Sequence, residues 1–160
     1  MQFRIGSGFD VHRLADGLPL VLGGVRIPFE KGLEGHSDAD VLVHAVIDAL
    51  LGSLALGDIG SLFPDSDLRY RGINGLVLLK QVWRLVREKD FQLGNLDSIL
   101  IAESPKLSPF LDDMRSNLAE SLECKKDLIS IKATTTEKLG FTGRGEGIAA
   151  QTVVLLRGKN

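Results

Sequence analysis

Residues 129–157 read ISIKATTTEKLGFTGRGEGIAAQTVVLLR, and this stretch decides the fold. Its two ends, 129–135 and 147–157, are rich in β-branched and aliphatic residues, which favour strands. The residues between them are repeatedly interrupted by glycine, so the chain is predicted to close as two strands joined by a glycine-rich turn. The last strand is apolar at both alternating sets of positions, so one face should meet the protein's own helices and the other another subunit.

The rest of the chain alternates between strand-like and helix-like segments. Strands are predicted at residues 2–12, 21–27 and 96–102, helices at 37–56, 74–89 and 109–123, and a turn-rich loop at 61–73. Trp83 belongs to an apolar stripe at helical spacing and is interpreted as core. This order predicts a single α/β (α+β) domain over residues 1–160, with a four-stranded sheet covered by helices on one face.

Composition and charge exclude several classes of protein. Apolar residues make up 44% of the chain and charged residues 25%, the balance of a globular protein, and a formal charge of −2 argues against a nucleic-acid surface. Cys124 is the single cysteine, so an intrachain disulfide is excluded and a reducing compartment fits. Without a signal-peptide pattern or an apolar run of membrane-spanning length, we expect the bacterial cytoplasm, or a plastid-type organelle if a transit peptide has been removed.

The histidines suggest a metal site. Asp10 and His12 lie two residues apart on a predicted strand and therefore share a face, and His44 lies in the helix that follows Ser37. One carboxylate and two imidazoles with an open fourth position are the donor set of a catalytic zinc site. Each residue alone is more often packed or ion-paired, so the prediction depends on the three occurring together.

Other motifs allow two interpretations, a ligand site or an ordinary structural element. His36 precedes a predicted helix with Ser37 as its N-cap and Asp38 and Asp40 in its first turn. The free N–H groups at such a helix start attract anions, so His36 and Ser37 could bind an anionic ligand. An ordinary Ser37 cap with an exposed His36 explains the pattern equally well. The threonines at 134–136 could donate hydrogen bonds to phosphate, and Glu137 could bind a hard cation. Alternatively, these residues are only the end of a strand. Residues 57–67 and 102–107 are either ligand loops or ordinary connections.

Long motifs in matching order resemble the 2-C-methyl-D-erythritol 2,4-cyclodiphosphate synthase family. The similarity runs from about Arg4 to Leu156 and includes GFDVH at 8–12, HSDADV at 36–41, GDIG at 57–60, FPDSD at 63–67 and KATTTEKLGFTGRGEG at 132–147. The resemblance implies a homotrimer with active sites between adjacent subunits and the free sheet face packed around the trimer axis. It also implies a phosphorus–oxygen lyase of the non-mevalonate isoprenoid route, which forms the cyclic diphosphate and CMP from a cytidine-diphosphate substrate.

The resemblance also assigns roles to residues. Asp10, His12 and His44 would bind Zn²⁺ or another divalent transition metal, Glu137 would hold Mg²⁺ or Mn²⁺ at the diphosphate, and His36 and Thr135 would stabilise the transition state. Ser37, Asp58, Gly60 and Asp65 would hold the methylerythritol part, and residues 102–108 with 133–134 the cytidine. The full set of implied substrate contacts is Asp10, Val11, His12, His36, Ser37, Asp58, Ile59, Gly60, Phe63, Pro64, Asp65, Ser66, Asp67, Ala102, Glu103, Ser104, Pro105, Lys106, Leu107, Ser108, Ala133, Thr134, Thr135, Thr136, Glu137, Phe141 and Arg144.

Three positions depart from the pattern of many bacterial members. Ser7 and Gln151 stand where those members carry His and Glu, in an axial cavity that holds isoprenoid diphosphates and also includes Phe9, Phe141 and Arg144. Removal of an ionisable pair there is expected to leave Arg144 less opposed. Ala39 replaces a usual glycine and is expected to be harmless in the first turn of a helix. A metal-dependent phosphohydrolase and a trimeric isoprenoid-diphosphate-binding protein are the alternative functions.

Overall fold

The chain folds into strands and helices that largely follow the predicted order. A computed structural model describes residues 2–159. The strands are β1 Phe3–Asp16, β2 Leu20–Leu22, β3 Val25–Ile27, β4 Lys31–Leu33, β5 Phe91–Ile101, β6 Ile129–Thr134 and β7 Gly147–Gly158. The α-helices are α1 Val41–Ser53, α2 Ile59–Leu62, α3 Gly75–Glu88, α4 Leu111–Ser121 and α5 Gly140–Gly143, with short 3₁₀ turns at Leu68–Tyr70, Ser108–Phe110 and Lys126–Leu128.

One mixed sheet organises the fold in the order β4-β1-β7-β5-β6. All neighbours are antiparallel except β5 and β6, which run parallel. The predicted α/β layer is confirmed, and its four predicted long strands are β1, β5, β6 and β7. The sheet has a fifth strand because the short β4 pairs with the end of β1, and residues 21–27 form the separate two-stranded hairpin β2–β3. A strand of three residues is too short to show the alternation of apolar and polar residues from which strands are predicted.

Helix α1 lies directly on β1 because two glycines leave room for it. A Cβ atom at Gly6 would lie 1.9 Å from the carbonyl oxygen of Ala49, and one at Gly8 would lie 2.0 Å from that of Ala45. The helix backbone therefore occupies the space that side chains would fill elsewhere. This contact brings His44 on α1 next to the end of β1 that carries Asp10 and His12.

The start of α1 differs from the prediction. Asp40, not Ser37, is the N-cap, and its carboxylate accepts a hydrogen bond from Val43 N at 3.1 Å. The same buried carboxylate accepts bonds from Gly23 N at 2.9 Å and Gly24 N at 2.8 Å in the β2–β3 turn. The expectation that Ala39 lies in the first helical turn is therefore wrong. Ala39 precedes the helix with φ of 56°, a left-handed conformation that is costly for a residue with a Cβ.

Helices α3 and α4 complete the layer. Asn74 caps α3, and the stripe through Leu79, Trp83 and Val86 is buried, which confirms its interpretation as core. Helix α4 is shorter than the predicted 109–123 because its approach, Ser108–Phe110, is a 3₁₀ turn. No helix within residues 2–159 is long and apolar enough to cross a membrane.

The sheet face opposite the helices carries exposed apolar side chains. Ile5 is 72% exposed, Phe9 55% and Val153 45%. Their buried neighbours in the same strands, such as Val154, point toward the helices, so the last strand is apolar on both faces as predicted. The open face is large and apolar for a free surface in water.

Candidate active site

Asp10, His12 and His44 converge beside the first turns of α1. The period of two in β1 turns Asp10 and His12 toward the helix, and α1 supplies His44. Asp10 Oδ2 lies 3.1 Å from His12 Nε2 and 3.1 Å from His44 Nδ1. One ligand atom from each residue lies within 4.8 Å of the other two, which suits a single metal ion. The grouping predicted from the sequence is thus present in the fold.

Two outer contacts determine which ring nitrogens face inward. His12 Nδ1 lies 2.6 Å from the carbonyl oxygen of Glu34, and His44 Nε2 lies 3.0 Å from Ser37 Oγ. A metal-bound imidazole normally donates its other N–H to such an outer group. His12 Nε2, His44 Nδ1 and Asp10 Oδ2 therefore remain as the donor atoms. This mixed nitrogen and oxygen set, with its outer partners in place, fits a divalent transition metal.

Asp10 is the negatively charged member of the Asp10, His12 and His44 triad. Burial alone would raise the pKa of Asp10, but hydrogen bonds from His12 and His44 outweigh it and lower that pKa to about 2. The hydrogen bond to Asp10 raises the pKa of His12, against the opposing effect of burial. His12 Nε2 must give up a proton before it can bind a cation, so metal affinity is expected to fall in acid.

A cavity of about 270 Å³ opens beside the three side chains. Its walls bring together several predicted site residues, which are Asp10, His12, His36, Ser37, His44, Ile59, Gly60, Phe63 and Asp65. His36 Nε2 is 3.4 Å from the carbonyl oxygen of Asp67, and Gly72 N donates to the carbonyl oxygen of His36 at 2.7 Å. These contacts attach the 61–73 segment to the His36 loop over the cavity.

Some predicted contacts lie outside this cavity. Val11 is on the opposite sheet face, because it alternates with Asp10 and His12 along β1. Asp58 caps the short α2 and accepts from Ser61 N at 2.9 Å, and Asp67 is paired with Arg69 at 2.6 Å. Pro64 and Ser66 likewise do not line this cavity.

A second groove, of about 410 Å³, lies at the ends of β5 and β6. It is lined by Ala102, Glu103, Ser104, Pro105, Lys106, Leu107, Ser108, Ala133, Thr134 and Thr135, which is the predicted cytidine set with Thr135 added. The parallel pairing of β5 with β6 brings these chain segments together, and Ala102 N donates to the carbonyl oxygen of Thr134 at 3.0 Å. The groove shares no lining residue with the first cavity.

The sheet register separates the two places. Asp10 pairs with Ala150, Ala150 with Leu100, and Leu100 with Ala133. Three strand spacings therefore lie between Asp10 and Ala133, about 14 Å. Within one chain the metal-type triad and the groove are distinct.

The segment between β6 and β7 starts in the second groove at Thr135 and continues through a turn to α5, and it contributes no lining residue to the first cavity. Glu137 and Lys138 both have positive φ, 53° and 63°, and Glu137 N donates to Thr135 Oγ1 at 3.2 Å. Thr136 Oγ1 donates to the carbonyl oxygen of Leu139 at 2.7 Å. The Glu137 side chain is exposed and has no ion-pair or hydrogen-bond partner among residues 2–159.

Phe141 and Arg144 follow on this turn, and both are exposed. Arg144 Nε donates to Glu146 Oε1 at 3.0 Å, a partner that lies two residues away in the sequence. The expected effect of Ser7 and Gln151 on Arg144 stays a prediction. Ser7 and Gln151 are both exposed on the open sheet face.

Sequence reasoning missed two groups that support the site. Glu34 acts through its backbone carbonyl, which leaves no signal in residue type. Asp48 accepts a hydrogen bond from Ile59 N at 2.7 Å and thereby attaches α1 to the residues of α2. Its position four residues after His44, on the same helix face, was a signal that could have indicated it.

Comparison with known proteins agrees with this geometry. The model of the YgbB family matches residues 3–157. A curated 2-C-methyl-D-erythritol 2,4-cyclodiphosphate synthase from a Geobacillus species is 59% identical over 158 residues, which is 99% of this chain and 100% of that protein. The solved Plasmodium falciparum IspF in complex with CDP has a TM-score of 0.87 at 34% identity, covering 99% of this chain and 97% of that one. The bifunctional IspDF of Campylobacter jejuni has a TM-score of 0.95 at 47% identity, covering 99% of this chain, which spans only 43% of that protein.

Proposed function

The chain belongs to the YgbB family, and on that premise we propose that it converts 4-diphosphocytidyl-2-C-methyl-D-erythritol 2-phosphate to 2-C-methyl-D-erythritol 2,4-cyclodiphosphate and CMP. This phosphorus–oxygen lyase reaction belongs to the non-mevalonate route to isoprenoid precursors. The observation that carries the proposal is the convergence of Asp10, His12 and His44 in a cavity that His36 and Ser37 also line. All of the site residues are assigned to one domain, residues 1–160. The similarity to bacterial relatives supports the cytoplasm as the location of the protein.

The first cation is assigned to the inward-facing donor atoms. Asp10 Oδ2, His12 Nε2 and His44 Nδ1 would hold Zn²⁺ or another divalent transition metal. When bound, such an ion holds phosphate oxygens and neutralises charge that opposes attack of one phosphate on another. Mg²⁺ or Mn²⁺ at the diphosphate is assigned to Glu137, whose free carboxylate is the ligand type that hard cations prefer.

The reaction needs orientation more than a strong base. An oxygen of the 2-phosphate forms a bond to the β-phosphorus, while the bond from that phosphorus to the oxygen bridging to the α-phosphorus breaks. CMP leaves with this oxygen and its electron pair. Both reacting groups belong to one molecule, so alignment supplies much of the rate. His36 and Thr135 are assigned to hydrogen-bond the oxygens that gain charge.

The cytidine is assigned to the groove of residues 102–108 and 133–135. Two similar structures were solved with CDP bound, which supports a nucleotide as a ligand of this chain. Since the groove and the triad share no lining residue and lie about 14 Å apart across the sheet of one chain, the site is best completed by a neighbouring copy. A homotrimer would supply that copy and cover the exposed Ile5, Phe9 and Val153 on the open sheet face.

Water has to be kept from the β-phosphorus, because hydrolysis competes with cyclisation. The 61–73 segment is assigned as the cover. Phe63 lines the cavity and packs edge-to-face on Tyr70 with ring centroids 5.2 Å apart, which places apolar surface over the polar site.

Phosphorus NMR of the purified protein with the cytidylyl substrate, Zn²⁺ and Mg²⁺ tests the function. We expect a cyclic diphosphate and CMP in equal amounts. Asp10→Ala should abolish turnover, whereas Asp16→Ala, at the far end of the same strand, should retain it. An open-chain phosphate as the product would indicate a phosphohydrolase. No product despite confirmed metal occupancy would exclude the proposed reaction.

A further inference from the structure

Ser37 links the metal-type triad to the cavity. Its Oγ lies 3.0 Å from His44 Nε2 and also accepts a hydrogen bond from Ala39 N at 3.3 Å. His44 is 7% exposed, so water cannot readily replace Ser37 as the partner of Nε2. Ser37 itself lines the cavity, so the direction of this one hydrogen bond determines what its hydroxyl offers to a bound molecule.

Without a metal, the direction of the bond is set by Asp10. Asp10 Oδ2 lies 3.1 Å from His44 Nδ1, and an ionised carboxylate only accepts hydrogen bonds. A neutral His44 ring therefore carries its proton on Nδ1, which leaves Nε2 as an acceptor. Ser37 then donates its hydroxyl proton to His44, and the cavity sees only a serine oxygen.

With a cation at His44 Nδ1, the ring proton must move to Nε2. His44 then donates to Ser37 Oγ, which already accepts from Ala39 N. A hydroxyl has two acceptor sites and one donor, so both acceptor sites are filled and the proton becomes free. The proton therefore points away from both donors, and Ser37 is one of the residues that line the cavity.

We infer that metal binding reverses the hydrogen bond between Ser37 and His44 and thereby converts Ser37 into a donor toward an anionic oxygen of the bound molecule. The inference rests on the proposed function for the identity of that molecule, a phosphorylated polyol. It makes Ser37 the residue through which metal occupancy of the triad changes the binding of that molecule.

Nitrogen NMR of ¹⁵N-histidine-labelled protein at pH 8 tests the reversal without any substrate. The chain has three histidines, and substitution of His36 by Gln leaves two to assign. We expect His44 protonated on Nδ1 in the EDTA-treated protein and on Nε2 after saturation with Zn²⁺. A His44 proton that stays on the same nitrogen in both states overturns the inference.

Ligand binding tests the consequence. With Zn²⁺ bound, Ser37→Ala should weaken binding of the cyclic diphosphate about tenfold, because one hydrogen bond to a charged oxygen is lost. Without metal the same variant should bind within about twofold of the unsubstituted protein, since Ser37 then donates to His44. An equal loss in both states overturns the coupling.

Two further variants separate this result from general damage. Ser37→Thr keeps the hydroxyl and should restore the metal-dependent difference. Ser53→Ala removes a buried hydroxyl that donates to Leu50 O at 2.7 Å on the same helix, so it should cost stability without changing binding. If the cyclic diphosphate binds to no variant, the proposed function is contradicted, and the NMR result alone decides the reversal.

Discussion

Replacement of Asp40 by serine should destabilise the protein in a way that depends strongly on pH. Asp40 is fully buried and accepts from three backbone N–H groups, one at the start of α1 and two in the β2–β3 turn. Serine is also a good N-cap and keeps the bond to Val43 N. Asp40→Ser therefore removes only the two contacts with Gly23 and Gly24.

Two opposing terms set the size of the effect. Each buried N–H that loses its acceptor costs about 1–3 kcal/mol, so the two together cost about 2–6 kcal/mol. Burial, and then the nearby Asp38, raise the pKa of Asp40 from 3.8 to about 6 despite its hydrogen bonds. Keeping this carboxylate ionised in the folded protein at neutral pH thus costs about 3 kcal/mol, which the serine variant avoids.

The sign follows from which state holds the proton more tightly. Between pH 3.8 and about 6 the folded protein retains a proton that the unfolded chain releases, so stability falls as pH rises. Serine has no such proton. The deficit of Asp40→Ser should therefore be largest in acid and shrink by about 2 kcal/mol between pH 4.5 and 7.5.

Urea unfolding followed by circular dichroism measures this difference, at fixed protein concentration and with EDTA in both samples. Asn74→Ser is the matched control, because Asn74 caps α3 through Leu76 N alone and does not titrate, so its deficit should be the same at every pH. A deficit of Asp40→Ser that stays constant or widens toward pH 7.5 would refute the reasoning. It would mean that the three N–H donors outweigh burial and hold the Asp40 pKa down.

Three other predictions concern backbone and surface features. Ala39→Gly should change the free energy of unfolding by less than about 1 kcal/mol. Relief of the left-handed conformation gains about 1–2 kcal/mol, whereas glycine flexibility and the lost buried methyl group cost about 0.5–1 kcal/mol each. A larger loss of stability in urea unfolding would contradict the left-handed φ of Ala39. Gly143→Ala should cost about 1–3 kcal/mol, since its Cβ would lie 2.2 Å from the carbonyl carbon of Lys138. Gly52→Ala should instead raise the thermal midpoint, because its Cβ would make only an ordinary contact, 3.9 Å from Ser7 O. Equal shifts in the two variants would show that the turn around Gly143 relaxes freely. Val153→Asp should abolish self-association in sedimentation velocity while circular dichroism stays native, and an unchanged assembly would exclude the open sheet face as the interface.

The fold and the triad were predictable because local rules determine them. Asp10 and His12 share a face by the period of a strand, and His44 lies on a helix whose apolar pattern extends over its whole length. For the second groove, local rules left residues 102–107 open as a ligand loop or an ordinary connection, and only the family resemblance assigned residues 102–108 and 133–134 to a nucleotide. Local rules could not show that the groove and the triad lie apart, because the separation depends on the order β1-β7-β5-β6.

The start of α1 was not predictable from nearby residues. Ser37, Asp38 and Asp40 are all good caps, so their types do not choose among them. The choice depends on Gly23 and Gly24, whose N–H groups reach Asp40 from a distant turn. The left-handed Ala39 follows from that choice, and no propensity scale would place alanine there.

Pairing of β1 with β7 along nearly its whole length has a consequence for biosynthesis. Phe3 pairs with Arg157 and Arg13 with Gly147, so the first long strand finds its main partner in the last one. While the ribosome is still making the middle of the chain, only the short β4 can pair with β1. Asp10 and His12 are thus held in register only after β7 has been synthesised, and loading of a cation should follow chain completion rather than guide it.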